Sequence, residues 1–268
     1  MNESLSTVKG LSASPIGGPE SHPNVVILTS GVSGSSVLTG LISRAGYWTG
    51  ACTHKKEYDT FENEDLIQRN LDLFRTANFT GNYTMEFCDD GISSITALRG
   101  RVDEGPFKSF VETCQQHRPW VWKDPRLWLT IRFWKDLLPL SDCRFILLTR
   151  DLRHNWLSSI QRRHIRSFGS MKRYELAIKS SIVEFLDSNR IGYLHLTYED
   201  LIVKPEQEIG RLNAYLGTNL EVADLAAIYH NSLYKVPRGS VIDHVKAWLI
   251  YIKNYSQRFD LVEKAKQK

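Results

Sequence analysis

The stretch Val25-Val26-Ile27-Leu28-Thr29-Ser30-Gly31-Val32-Ser33-Gly34-Ser35-Ser36-Val37-Leu38 decides the fold. Four consecutive apolar residues, three of them β-branched, predict a strand. The apolar period then changes: Val37, Leu38, Leu41 and Ile42 fall at helical spacing and stop at Gly46. Between strand and helix lies a Gly/Ser loop. Such a loop gathers backbone N–H groups and hydroxyls at a positive helix terminus, which suits it to hold a phosphate. It is not the nucleotide-triphosphatase loop, because that pattern needs a Lys after the last Gly and Ser35 stands there. A plain strand-to-helix turn, with Gly for geometry and Ser for capping, explains the same residues, and this stretch alone leaves both readings open.

Working outward, β-rich apolar runs recur at Trp120 to Trp122, Arg144 to Thr149 and Ile191 to Leu196, with helical patterns between them. That alternation predicts an α/β fold with a central parallel sheet flanked by helices. From Pro205, Ile209, Leu212 and Leu216 predict a helix that Gly217 stops. The polar segment from Lys55 to Phe107 is expected to form a helical cap over the sheet edge. No repeat or linker interrupts 24–255, so a single α/β domain is expected over 24–268, behind a disordered Ser/Gly/Pro-rich tail over 1–23.

Composition narrows the function classes. With 42% hydrophobic and 24% charged residues in 268, the chain is not disordered as a whole. A net charge of +4 is too mild for a nucleic-acid coat or an anionic membrane surface, so any anion site must be local. The four cysteines, Cys52, Cys88, Cys114 and Cys143, form no C-x-x-C pair, which argues against structural zinc and for a reduced, cytoplasmic setting. No apolar run approaches the ~20 residues a bilayer requires, and the N-terminal segment lacks a signal-peptide pattern.

The strand ending at Thr149 delivers Arg150 to the sheet edge where ligands bind in open α/β folds, and Ser158 follows eight residues later. Tyr198-Glu199-Asp200-Leu201 closes another strand ahead of the Pro205 helix, and Arg238-Gly239 sits in a late loop. Each has an ordinary reading alone: a surface ion pair, a helix-leading turn, a loop dipeptide. Their order, together with Ser33-Gly34-Ser35-Ser36, Lys123-Asp124-Pro125-Arg126, Gly46-Tyr47-Trp48-Thr49-Gly50 and Phe61-Glu62-Asn63, resembles the bacterial-type sulfotransferases that use 3'-phosphoadenosine 5'-phosphosulfate (PAPS). The resemblance covers roughly residues 24 to 240. It implies that Ser33, Gly34, Ser35 and Ser36 hold the 5'-phosphosulfate, that Arg150 and Ser158 hold the 3'-phosphate, and that Tyr198 sits near the adenine. Arg238 would join the 3'-phosphate, although Ser240 and a missing Lys depart from the family's late loop.

One departure bears on chemistry. Most members carry Lys or Arg just before the loop's Ser-Gly; here Val32 stands there. Sulfuryl transfer gathers negative charge on the leaving phosphate, so a positioned cation must come from elsewhere. Lys123, at a strand end on the same edge, is the candidate; the ordinary reading is a Lys snorkelling from that strand end. Glu62 is the first candidate base and His54 the second. The ordinary reading of Glu62 is a first-turn helix carboxylate, and of His54 a surface loop residue. The basic run Arg162, Arg163, Arg166, Lys172 and Arg173 either draws anionic ligands or is a solvated face. Tyr47, Trp48, Tyr58 and Phe61 line an acceptor pocket or pack in the core, whereas Trp120, Trp122, Trp128 and Trp134 are assigned to the core. The expectation is metal-independent sulfuryl transfer from PAPS to a carbohydrate or small-molecule hydroxyl, without nucleic-acid or membrane partners. The rival is a non-catalytic protein of the same fold that binds a nucleotide or a partner, motivated by Val32.

Overall fold

The computed structural model describes residues 22–50, 52–55, 58–81, 86–162, 164, 166–228 and 241–257, with backbone only at 52–55, 58, 59, 241 and 257. In chain order the elements are β1 (Asn24–Thr29), α1 (Ser35–Ser43), β2 (Cys52–Lys55), β3 (Tyr58–Asn63), α2 (Glu64–Thr76), α3 (Asp89–Thr96), α4 (Gly105–Gln116), β4 (Val121–Lys123), α5 (Leu127–Trp134), β5 (Cys143–Thr149), α6 (Leu152–Gln161), α7 (Phe168–Ser188), β6 (Tyr193–Thr197), α8 (Tyr198–Val203), α9 (Pro205–Leu216), α10 (Val222–Ile228) and α11 (Val241–Lys253).

The sheet runs β4-β1-β5-β6 with every neighbouring pair parallel, as expected. Every residue of β1 is buried, because helices cover both faces. Val26, Leu28, Phe145 and Leu147 pack into one core with residues of α2, α4, α5, α6 and α7. Val25, Ile27, Ile146 and Leu148 pack into a second with residues of α1 and α9. The assigned tryptophans are core residues: Trp120, Trp122, Trp128 and Trp134 are fully buried, and Trp122 meets Trp134 edge-on at 5.1 Å.

Topology selects the site. The chain leaves β1 toward β4 on one side, whereas it leaves β5 toward β6 on the other. A crevice therefore opens between the C-terminal ends of β1 and β5, where doubly wound sheets bind ligands.

Three local expectations change. The segment expected as a purely helical cap contains an antiparallel pair, β2 with β3, ahead of α2 and α3; its polar residues carry no alternation that would announce a strand. Tyr198 to Leu201 opens a helix rather than closing a strand, since Glu199 and Asp200 complement the positive end of α8. In the basic run, Arg162, Lys172 and Arg173 are exposed, but Arg166 is buried, its guanidinium 4.8 Å from the Tyr174 ring, so it belongs to no solvated face. Arg163 lies outside the described residues.

Candidate functional site

The loop after β1 turns on two left-handed residues, Val32 (φ 64°) and Gly34 (φ 85°). Only glycine fits at Gly34, because a Cβ there would lie 2.2 Å from Cδ2 of Tyr198. Gly34 is also the N-cap of α1 and offers no side chain, so the first amides of that helix are uncapped by side chains and point their partial positive charge into the crevice. Ser33 is 1% exposed, and its Oγ has no hydrogen-bond partner among the described residues. A buried hydroxyl left unpaired costs ~1–3 kcal/mol, a deficit that an incoming oxyanion would remove.

Arg150 leaves the end of β5 and crosses to this loop. Its Nη1 donates to the Val32 carbonyl at 2.9 Å, its guanidinium lies 5.0 Å over the Tyr198 ring, and its Nε is 3.6 Å from Glu199 Oε1. Glu199 also accepts from Asp151 N (2.8 Å) and lies 3.1 Å from His154 Nδ1, which binds the start of α6 to the start of α8. Beneath the loop, Ser30 Oγ donates to Glu175 Oε2 (2.7 Å) and Asn155 Nδ2 donates to Oε1 (2.9 Å). Burial pushes the Glu175 carboxyl above the usual range.

On the far side of β1, Lys123 ends β4 with a side chain 1% exposed. Its Nζ donates to Glu62 Oε1 at 2.7 Å and to Ser36 Oγ at 3.3 Å. Local sequence frees Glu62 for this contact. Asn63 is the N-cap of α2, its Oδ1 accepting from Leu66 N, so Glu64 and Asp65 occupy the first turn and Glu62 stays outside it. Phe61 (φ 51°) packs its ring on Gly40 of α1, where a Cβ would lie 2.8 Å from the ring, and so carries β3 against the loop's helix. The turn after Lys123 is fixed by buried Asp124, which accepts from Asn70 Nδ2 (2.8 Å) and from Arg126 N and Nη1 (both 2.9 Å).

The structure thus brings Ser33, Gly34, Ser35, Ser36, Lys123, Glu62 and Arg150 to one crevice. Ser158 lies half-buried two turns along α6 from Arg150. Tyr198 is 4% exposed and walls the loop between Gly34 and Arg150. His54 has its backbone in β2 opposite Asp59, while its side chain, like Arg238, lies outside the described residues, as does the tail over 1–21. Tyr47 and Trp48 do not join the site: Trp48 bridges Trp120 at the N-terminal edge of the sheet and stacks on His117 at 4.5 Å, and Tyr47 is buried with its phenol pushed up by desolvation. Sequence reasoning gave no role to Ser30, Asn155, Glu175 or Glu199. Glu199 stood beside Tyr198 in a segment already singled out; Glu175 has no local signal, because only the crossing of α7 under β1 brings it to Ser30.

Chemically, two cations, each with a carboxylate partner, flank a helix N-terminus with no side-chain cap among the described residues, an arrangement suited to a multiply charged anion. No helix among the described residues is long and apolar enough to cross a membrane, and no metal-binding group of His, Cys, Asp and Glu occurs among them.

A sequence profile described as the sulfotransferase family matches residues 23–222. No curated protein sequence matches the chain. Similar solved structures include the sulfotransferase domain of the Synechococcus PCC 7002 olefin synthase (16% identity, 86% of this chain and 94% of that one, TM-score 0.49). The sulfotransferase domain from the curacin biosynthetic pathway is similar at 17% identity (82% of each chain, TM-score 0.48). Sulfotransferase STF9 from Mycobacterium avium is similar at 13% identity (88% and 77%, TM-score 0.46).

Proposed function

The chain belongs to the sulfotransferase family, and on that premise we propose that it moves a sulfuryl group from PAPS to a hydroxyl of a carbohydrate or small-molecule acceptor. The observation that carries this reading is Lys123 Nζ, held between Glu62 (2.7 Å) and Ser36 (3.3 Å) at the head of the loop. It puts a fixed cation beside the loop that lacks one at Val32. The Ser33 hydroxyl, without a partner among the described residues, and the start of α1, without a side-chain cap there, fit the donor's phosphosulfate. Arg150 and Ser158 are assigned to its 3'-phosphate. When bound, the donor supplies a sulfuryl group activated by its bond to phosphate.

The remaining chemistry belongs to the chain. Lys123 and the first amides of α1 stabilise negative charge that builds on the leaving phosphate, and they are in place before reaction, so little reorganisation is needed. Glu62 orients Lys123 through Oε1 and takes the acceptor's hydroxyl proton on its other oxygen. Tyr198 walls the loop between Gly34 and Arg150.

The test is sulfate transfer from PAPS to an acceptor panel, with calorimetric binding of adenosine 3',5'-bisphosphate alongside. Glu62→Gln should bind the bisphosphate within about threefold of wild type and lose ~10²- to 10⁴-fold in turnover. Lys123→Ala should lose ~10²-fold or more. Bisphosphate binding without transfer to any acceptor would establish the non-catalytic rival instead.

A further inference from the structure

A second cavity lies apart from the loop, between α6 and α11. It measures about 300 Å³ and is lined, among the described residues, by Arg153 and Trp156 of α6, Phe168 of α7, and His244 and Trp248 of α11. Three rings form its apolar surface. Trp156 is 5.7 Å from Trp248 at 59° and 6.1 Å from Phe168 at 85°, so the rings enclose a recess instead of stacking shut. Trp156 is 4% exposed, and its Nε1 is committed to the Arg166 carbonyl at 2.9 Å, which locks the ring and leaves only its apolar surface to the cavity. Trp248 is 51% exposed, a large aromatic surface left to water. The polar members, Arg153 and His244, are both basic, and no carboxylate is among the described lining residues.

Aromatic walls with a few polar groups are how small-molecule sites are built, and this volume is at their lower end. The walls select a flat apolar body, and the Arg153 guanidinium selects an acid. We propose that this cavity binds a flat apolar molecule bearing one acidic group, at a site distinct from the donor loop. The site goes beyond sulfuryl transfer and stands or falls independently of it.

The probe is 1-anilinonaphthalene-8-sulfonate, compared with uncharged N-phenyl-1-naphthylamine of nearly the same shape, each titrated by fluorescence against the full chain. One sulfonate should bind per chain, quenching tryptophan emission. Arg153→Ala should weaken the sulfonate about tenfold, the loss expected for a charge-assisted bond, and change the uncharged probe by less than about threefold. Trp248→Ala should weaken both about tenfold, and saturating adenosine 3',5'-bisphosphate should displace neither. Two results would overturn the site. Displacement by the bisphosphate would place the probe on the donor loop. Equal binding to Arg153→Ala, with several probes per chain, would place it on the exposed Ile242, Val245, Leu249 and Ile252 of α11. No arm of the experiment depends on sulfate transfer.

Discussion

At Val32 the loop gives up a cationic side chain and keeps a demanding backbone. A β-branched residue at φ 64° sits where L-residues lose ~1–2 kcal/mol, and the Arg150 bond to its carbonyl holds it there. The missing charge is found one strand away, in Lys123. That residue is almost completely buried, so its ammonium depends on Glu62 for compensation. Lys123→Ala strands the Glu62 carboxylate without its partner, and should lower the melting temperature more than Lys123→Ala with Glu62→Gln, because removing both members of a buried pair costs less than removing one. Transfer should stay low in both. A double variant no more stable than the single one, by calorimetry, would mean that the pair contributes no coupling. Both residues were visible as candidates in the sequence. Their pairing was not, because 61 residues and the course of β3 separate them.

Among the elements, α6 joins the crevice to the rest of the fold. Arg150 precedes it, Ser158 is on it, and Asn155 reaches from it to Glu175 of α7. Arg150→Ala and Ser158→Ala should each weaken adenosine 3',5'-bisphosphate by ~10- to 100-fold while changing adenosine 5'-monophosphate much less, the loss of one charge-assisted bond to the 3'-phosphate. Equal weakening of both ligands would remove that assignment. The link to α7 has a pH signature. Burial raises the Glu175 carboxyl above 4.5, so the folded state holds that proton more tightly than the unfolded chain does. Its favourable contribution is complete below pH 4.5 and is lost as pH rises through the folded value. Glu175→Gln has no proton to lose. Its melting temperature should therefore gain on wild type as pH rises above 4.5; a constant difference would show that burial does not raise the Glu175 carboxyl.

Across the whole molecule, one parallel sheet divides two cores, and β5 feeds both: Leu147 turns to one and Leu148 to the other. If residues 24–268 form one cooperative domain, Leu147→Ala and Leu148→Ala should each cost ~2–5 kcal/mol and shift one common transition. Two transitions that respond separately, in calorimetry or urea unfolding, would divide the chain into independent units. The same sheet explains why the elements of the crevice were legible early. The strand-loop-helix at Val25 to Ile42 and the strand leading to Arg150 are local patterns, and a parallel sheet places their C-terminal ends on one edge; the strand order makes them neighbours.

Short segments carried the α/β class, the strand with its Gly/Ser loop and helix, and Val32 where the resembling family has a cation, because periodicity, Gly placement and strand-end position are local properties. Tertiary structure alone decided that Lys123 faces Glu62, that Glu175 underpins Ser30, that Arg166 is buried inside a basic run, and that Tyr47 and Trp48 belong to the opposite edge. The physical reason is that hydrogen bonds and desolvation act over a few ångströms between residues distant in the chain. Which carboxylate meets which cation follows from the crossing of whole elements, and no short segment encodes that crossing.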